Sequence, residues 1–146
     1  MTKKKLLEDV RQNPARIYRT PSDVLRDRRF GDEDRLEILR AWRDAGAVIQ
    51  TDATMLLARG PMTELAKSLL GAGLVDCLAS DNHGDRRSLS AARIWLEELG
   101  ATEHAWMLTH GNASRLLTDQ PTLPVPPLPL GRSVFRRLGE LLFGRR

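Results

Sequence analysis

Residues 78–87 read Leu-Ala-Ser-Asp-Asn-His-Gly-Asp-Arg-Arg, and Asp81 and His83 within them are the pair best suited to chemistry. A carboxylate and an imidazole two residues apart can ligate a hard or borderline metal ion. The apolar stretch from Leu74 to Ala79 runs straight into them. If that stretch is a strand, side chains two apart point the same way, so Asp81 and His83 leave its C-terminal end together. Such strand ends are where α/β folds keep their active sites. Arg86 and Arg87 follow at once, and the planar guanidinium fork suits a phosphoryl oxyanion.

The elements that must hold these residues alternate between strand and helix over 45–120. Val48-Ile49-Gln50 reads as a short strand. Pro61 opens a helix with Leu65, Leu69 and Leu70 on one face, ended by Gly71 and Gly73. Leu74 to Ala79 is the second strand. Ser88 or Ser90 caps a helix carrying Ala92, Trp95, Leu96 and Leu99, ended by Gly100. Thr102 starts a further short helix, and Asn112 is placed to cap Ala113 to Leu117. The β-α-β-α order predicts an α/β unit with a parallel sheet. Two strands cannot close a barrel, and they leave open edges.

Residues 1–44 read as a helical N-terminal segment. Leu36, Leu39 and Trp42 share a face with Ile38 beside it. Gly31 precedes an acidic first turn, as the helix dipole favours, and Thr20-Pro21 marks another start. Residues 121–130, with five prolines, predict an extended polyproline linker. Beyond it Val134, Phe135, Leu138, Leu141 and Leu142 share one face of a helix with Arg132, Arg136 and Arg137. A basic amphipathic helix over 132–146 suits an anionic membrane surface or a partner.

The formal net charge of +4 is unevenly placed. Residues 1–44 carry 12 basic and 9 acidic side chains, 45–130 carry 6 and 9, and 131–146 carry 5 and 1. An acidic middle between basic ends is not the stripe of a nucleic-acid reader, and no nucleic-acid partner is expected. No run of 18 apolar residues predicts a membrane span, and Lys3-Lys4-Lys5 lacks the apolar region of a secretory signal. Cys77, the single cysteine, excludes an internal disulfide and fits a reducing cytoplasm. No phosphate-cradling loop follows it, so it reads as core packing. His104 and His110 read as surface residues, and Trp42, Trp95 and Trp106 as core or semi-core.

Several segments together carry a family resemblance. They are Ala45-Gly-Ala-Val-Ile-Gln50, Met55-Leu-Leu-Ala-Arg59, Ala66-Lys-Ser-Leu-Leu70, Gly73 to His83, Arg86 to Ala92 and Asn112-Ala-Ser-Arg-Leu-Leu117. In order and spacing, residues 45–120 resemble the C-terminal part of the bacterial PHP-type protein tyrosine phosphatases. These are the manganese-dependent enzymes of capsule and exopolysaccharide operons. The resemblance implies a fragment of a seven-stranded β/α barrel and a metal-dependent phosphohydrolase. It implies Asp81 and His83 as ligands of Mn²⁺ or another divalent ion, and a phosphotyrosine protein as substrate. Arg59, matching the family's Gly-Arg loop, would face the phosphate with Arg86 and Arg87.

The chain departs from the pattern at Ala58 and Met55, where the family usually has Gly and Ser. Its histidines are His83, His104 and His110, so no His-x-His motif precedes Asp81. That implies reduced or absent turnover. The alternative function is a small interaction or membrane-surface module, cytoplasmic or peripheral to the inner membrane face, that keeps family sequence without its catalytic centre. Residues 1–44 resemble a short helical region of small uncharacterised bacterial proteins, which carries no activity. The join near Arg43-Asp44-Ala45 reads as a fusion or internal deletion, or as a divergent intact protein.

Overall fold

The computed structural model describes residues 2–128 and 130. The expected amphipathic helix over 132–146 lies outside them. Four helices come first: α1 (Lys3–Gln12), α2 (Pro14–Ile17), α3 (Pro21–Arg26) and α4 (Asp32–Asp44). The starts of α3 and α4 follow the sequence signals. The Asp23 carboxylate accepts from the backbone N–H of Thr20 and Arg19 at 2.9 and 3.1 Å, closing the turn before α3. The Asp34 carboxylate does the same for Gly31 N–H at 3.1 Å. Lys3 then ties α1 to α4 by a 2.6 Å ion pair to Asp34.

The second part runs β1 (Gln50–Asp52), α5 (Ala53–Leu57), α6 (Pro61–Gly71), β2 (Cys77–Ala79), α7 (Leu89–Glu98), α8 (Thr102–Trp106) and α9 (Asn112–Leu117). β1 and β2 pair in parallel, with Gln50 opposite Cys77 and Asp52 opposite Ala79. This is a helix-rich α/β arrangement with a two-stranded sheet among the described residues.

The ladder is shorter and later than the apolar runs suggest. The Asp76 carboxylate accepts Ile49 N–H at 2.8 Å, while Asp76 N–H donates to Ile49 O at 2.8 Å. A side chain thus takes one rung, and the regular ladder begins only at Gln50.

One cluster of buried side chains joins these pieces. It contains Val10, Val24 and Ile38 from the first helices and Leu56, Leu70 and Val75 from the middle. Leu96, Leu108 and Val125 complete it. α6 and α7 bury the expected faces, with Leu69, Leu70, Ala92, Trp95 and Leu96 inside. Cys77 is buried, as core packing predicts, and Trp106 is half-exposed.

Two further sequence expectations change. Asn112 is not a cap. Between α8 and α9 the backbone widens into a π-turn over Met107–Gly111 and continues as helix. Asn112 is fully buried in that run, donating to the carbonyls of Asp76 and Leu123 at 2.8 and 3.0 Å. It also accepts Leu123 N–H at 2.7 Å. The proline segment is extended as expected, but over 121–128 it is a strap on the body. Val125 is buried, His104 Nε2 donates to Pro126 O at 2.9 Å, and Leu128 N–H donates to Leu70 O at 3.3 Å. Apolar residues between prolines give the strap something to bury, which a solvated spacer lacks.

Candidate functional site

Because β1 and β2 are parallel, both C-terminal ends lie on one edge of the sheet. Asp52 closes β1 there and caps α5, its carboxylate accepting from Thr54 N–H and Thr54 Oγ1, both at 2.8 Å. β2 ends at Ala79 and passes into an exposed loop over residues 80–88.

Asp81 and His83 do meet, though not by strand alternation. Asp81 has left the strand, with φ at 48°, a left-handed conformation that aspartate tolerates. The turn brings His83 Nε2 to 3.1 Å from Asp81 Oδ1. Arg87 approaches the other oxygen, Asp81 Oδ2, at 3.2 Å, and reaches Asp85 Oδ2 at 2.7 Å. The Arg87 hydrogen bond holds the Asp85 carboxyl below its usual range, and Asp85 in turn raises Arg87. Asp81 and, more weakly, Asp52 add electrostatic pull on Arg87.

Asn82 organises the loop. Its Oδ1 accepts from Gly84 N–H at 2.6 Å and Asp85 N–H at 3.2 Å. Its Nδ2 donates to the carbonyls of Asp85 at 3.1 Å and Arg87 at 2.7 Å. An Asn two residues before a Gly is a turn signal, and this one holds the side chains on either side of it in register.

The donors fit a divalent ion in part. Asp81 Oδ1 and His83 Nε2 are hydrogen-bonded to each other at 3.1 Å, and an ion with neighbouring ligands roughly 3 Å apart would have to displace that bond. Among the described residues no third His, Cys, Asp or Glu joins them in metal-holding geometry. Arg86 is exposed on the same loop. Arg59 sits on the separate turn between α5 and α6, immediately before Gly60, whose φ of 123° only glycine adopts with ease. Asp52 is the residue that motif reading passes over, and Asn82, although inside the motif, carries no role in it by sequence. The signal for Asp52 is an aspartate directly before Ala53-Thr-Met-Leu-Leu57, the cap position of a helix that the sequence reading does not place.

No helix among the described residues is long and apolar enough to cross a membrane. Comparison with protein-family models, with curated proteins and with solved structures gives no match.

Proposed function

We propose that the chain is a PHP-phosphatase-like α/β unit that binds a divalent ion and phosphoryl groups weakly, with little or no turnover. The observation that carries the reading is the 3.1 Å approach of His83 Nε2 to Asp81 Oδ1, beside Arg87, at the C-terminal edge of a parallel strand. Asp81 and His83 would hold Mn²⁺ or a similar ion, and water would complete its shell. When bound, the ion would supply positive charge against a phosphoryl oxygen. Arg87 and Arg86 would orient the phosphate through N–H donors. A phosphotyrosine protein is the ligand class that the resemblance suggests. Two protein ligands do not fix the pair of ions that brackets the reacting oxygens in two-metal hydrolysis, so binding outweighs catalysis here.

Calorimetric titration of Mn²⁺ into wild type and His83→Ala tests the site. Weak binding, on the order of 1 mM, should appear in wild type and vanish in the variant. Identical isotherms would remove the site. Metal-dependent hydrolysis of an aryl phosphate that disappears in Asp81→Ala would restore the enzymatic reading.

A further inference from the structure

Arg87 is not free to meet a ligand. Its Nε donates to Asp85 Oδ2 at 2.7 Å, and its Nη2 lies 2.7 Å from the same oxygen. Its Nη1 donates to Asp81 Oδ2 at 3.2 Å. Every nitrogen of the guanidinium therefore faces a carboxylate. The backbone is fixed too. Arg87 N–H donates to Asp85 Oδ1 at 2.8 Å, and the Arg87 carbonyl accepts from Asn82 Nδ2 at 2.7 Å. Arg86, next to it, is exposed and makes no ion pair among the described residues.

The two carboxylates hold different parts of the group. Asp85 takes Nε and Nη2 and so fixes the plane of the fork. Asp81 takes Nη1 alone, while its other oxygen, Oδ1, lies 3.1 Å from His83 Nε2. Asp81 is thus shared between Arg87 and the pair proposed to hold a divalent ion. The loop is also balanced in charge. With histidine counted as neutral, Asp81 and Asp85 offset Arg86 and Arg87 across residues 80–88, so the sum does not attract an anion.

A divalent ion on Asp81 would upset that balance. Asp81 would turn its charge to the ion, and the guanidinium would be left beside a like charge, which repels it. Asp85 would still hold Nε and Nη2. The donor released is Nη1.

Given the ion site proposed above, on which this step rests, we propose that Asp81 is a gate on Arg87. Without an ion it occupies Nη1 and withholds that donor from phosphoryl groups. With an ion it lets Nη1 go to a phosphoryl oxygen, while Asp85 keeps the fork aimed. Binding is therefore cooperative, and each ligand raises the affinity for the other by the same factor. Exposed ion pairs are weak restraints, which sets that factor at about fivefold.

The test measures binding of phenyl phosphate to the full chain, read from the amide NMR shifts of residues 82–88 without ion and by calorimetry with saturating Mn²⁺. Asp81→Asn removes the charge and keeps the turn, since asparagine tolerates the left-handed backbone at this position, where φ is 48°. Without any ion, Asp81→Asn should bind phenyl phosphate about fivefold tighter than wild type. The gain should be absent in Asp81→Asn with Arg87→Gln. In wild type Mn²⁺ should give a similar gain, and in Arg87→Gln a smaller one. An Asp81→Asn variant no tighter than wild type would overturn the proposal. So would a gain that survives the loss of Arg87, because charge removal alone would then explain it. Mn²⁺ that binds wild type and leaves its phosphate affinity unchanged would overturn it too. Identical Mn²⁺ isotherms for wild type and His83→Ala would remove the ion site and this gate with it. The Asp81→Asn comparison needs no ion, so its failure strikes the gate alone.

Discussion

The Arg43 guanidinium lies 3.3 Å from the carboxylate of Asp76, which is only 1% exposed. Arg43 also donates to the Gly73 carbonyl. This pair ties the last turn of α4 to the entrance of β2, across the point where the sequence changes character. Whatever the origin of the join at Arg43-Asp44-Ala45, the two sides share a buried charge.

Breaking that pair should be costly. Arg43→Met leaves a buried carboxylate without its cation and should destabilise by about 3 kcal/mol. Asp76→Asn keeps an acceptor for Ile49 N–H and should cost less. The double variant should cost less than the sum of the two, because each single change strands the other partner. Urea midpoints of the four proteins check this, and strict additivity would mean that the two side chains are not coupled.

Asn112→Ala should loosen the strap. It removes the donor to two carbonyls and the acceptor for Leu123 N–H. The cost should be about 2–4 kcal/mol, since buried backbone groups are left unpaired. Asn112→Asp should be worse, because a carboxylate oxygen would then face two carbonyl oxygens. Amide exchange at Leu123 reads the local effect, and unchanged protection there would show that the strap is held elsewhere.

Tyr18 should titrate late. It is the chain's single tyrosine, and its hydroxyl donates to Asp27 at 2.7 Å. Burial, then the Asp27 hydrogen bond, push its pKa up from 10.0 to about 12. The folded value lies above the unfolded one. This contribution to stability is therefore complete below about pH 10 and disappears as pH rises through about 12. Phenolate absorbance should show a midpoint near 12 in buffer and near 10 in urea. Asp27 behaves oppositely. Hydrogen bonds from Arg29 hold it far below its usual 3.8, so its contribution is present above that value and lost as pH falls.

Gly73→Ala and Gly46→Ala should separate backbone strain from contact. Both glycines have positive φ, 67° and 96°. A Cβ at Gly73 would come within 2.8 Å of Val125 O, whereas one at Gly46 meets nothing within 4 Å. Gly46→Ala should cost about 1 kcal/mol, and Gly73→Ala about 1–3 kcal/mol more, as the strap is pushed off. Equal thermal shifts would mean that the strap yields freely.

Local signals were legible because local chemistry decides them. Gly31, Thr20 with Pro21, Pro61 and Ser88 mark helix starts by capping, and Gly73 and Gly100 mark ends by positive φ. Asp81 and His83 do come together, but through the turn that Asn82 braces. Partnerships across the chain left no local trace. Asp76 sits in an apolar run, and its partner Arg43 precedes the whole α/β segment. Asn112 looks like a cap in sequence because the bonds that occupy it come from Asp76 and the strap. The prolines of 121–130 announce an extended chain, but not what its intervening side chains touch.

The strap also sets an order of events during biosynthesis. Among the described residues, Val125 is the last of the buried core residues to be made. Until residues 123–125 emerge, the Asn112 amide lacks Leu123, and the place of Val125 against Gly73 stands open. A nascent chain carrying α1 to α9 and both strands is therefore still unlatched. Its exposed apolar surface at that stage is where a chaperone or a protease would act.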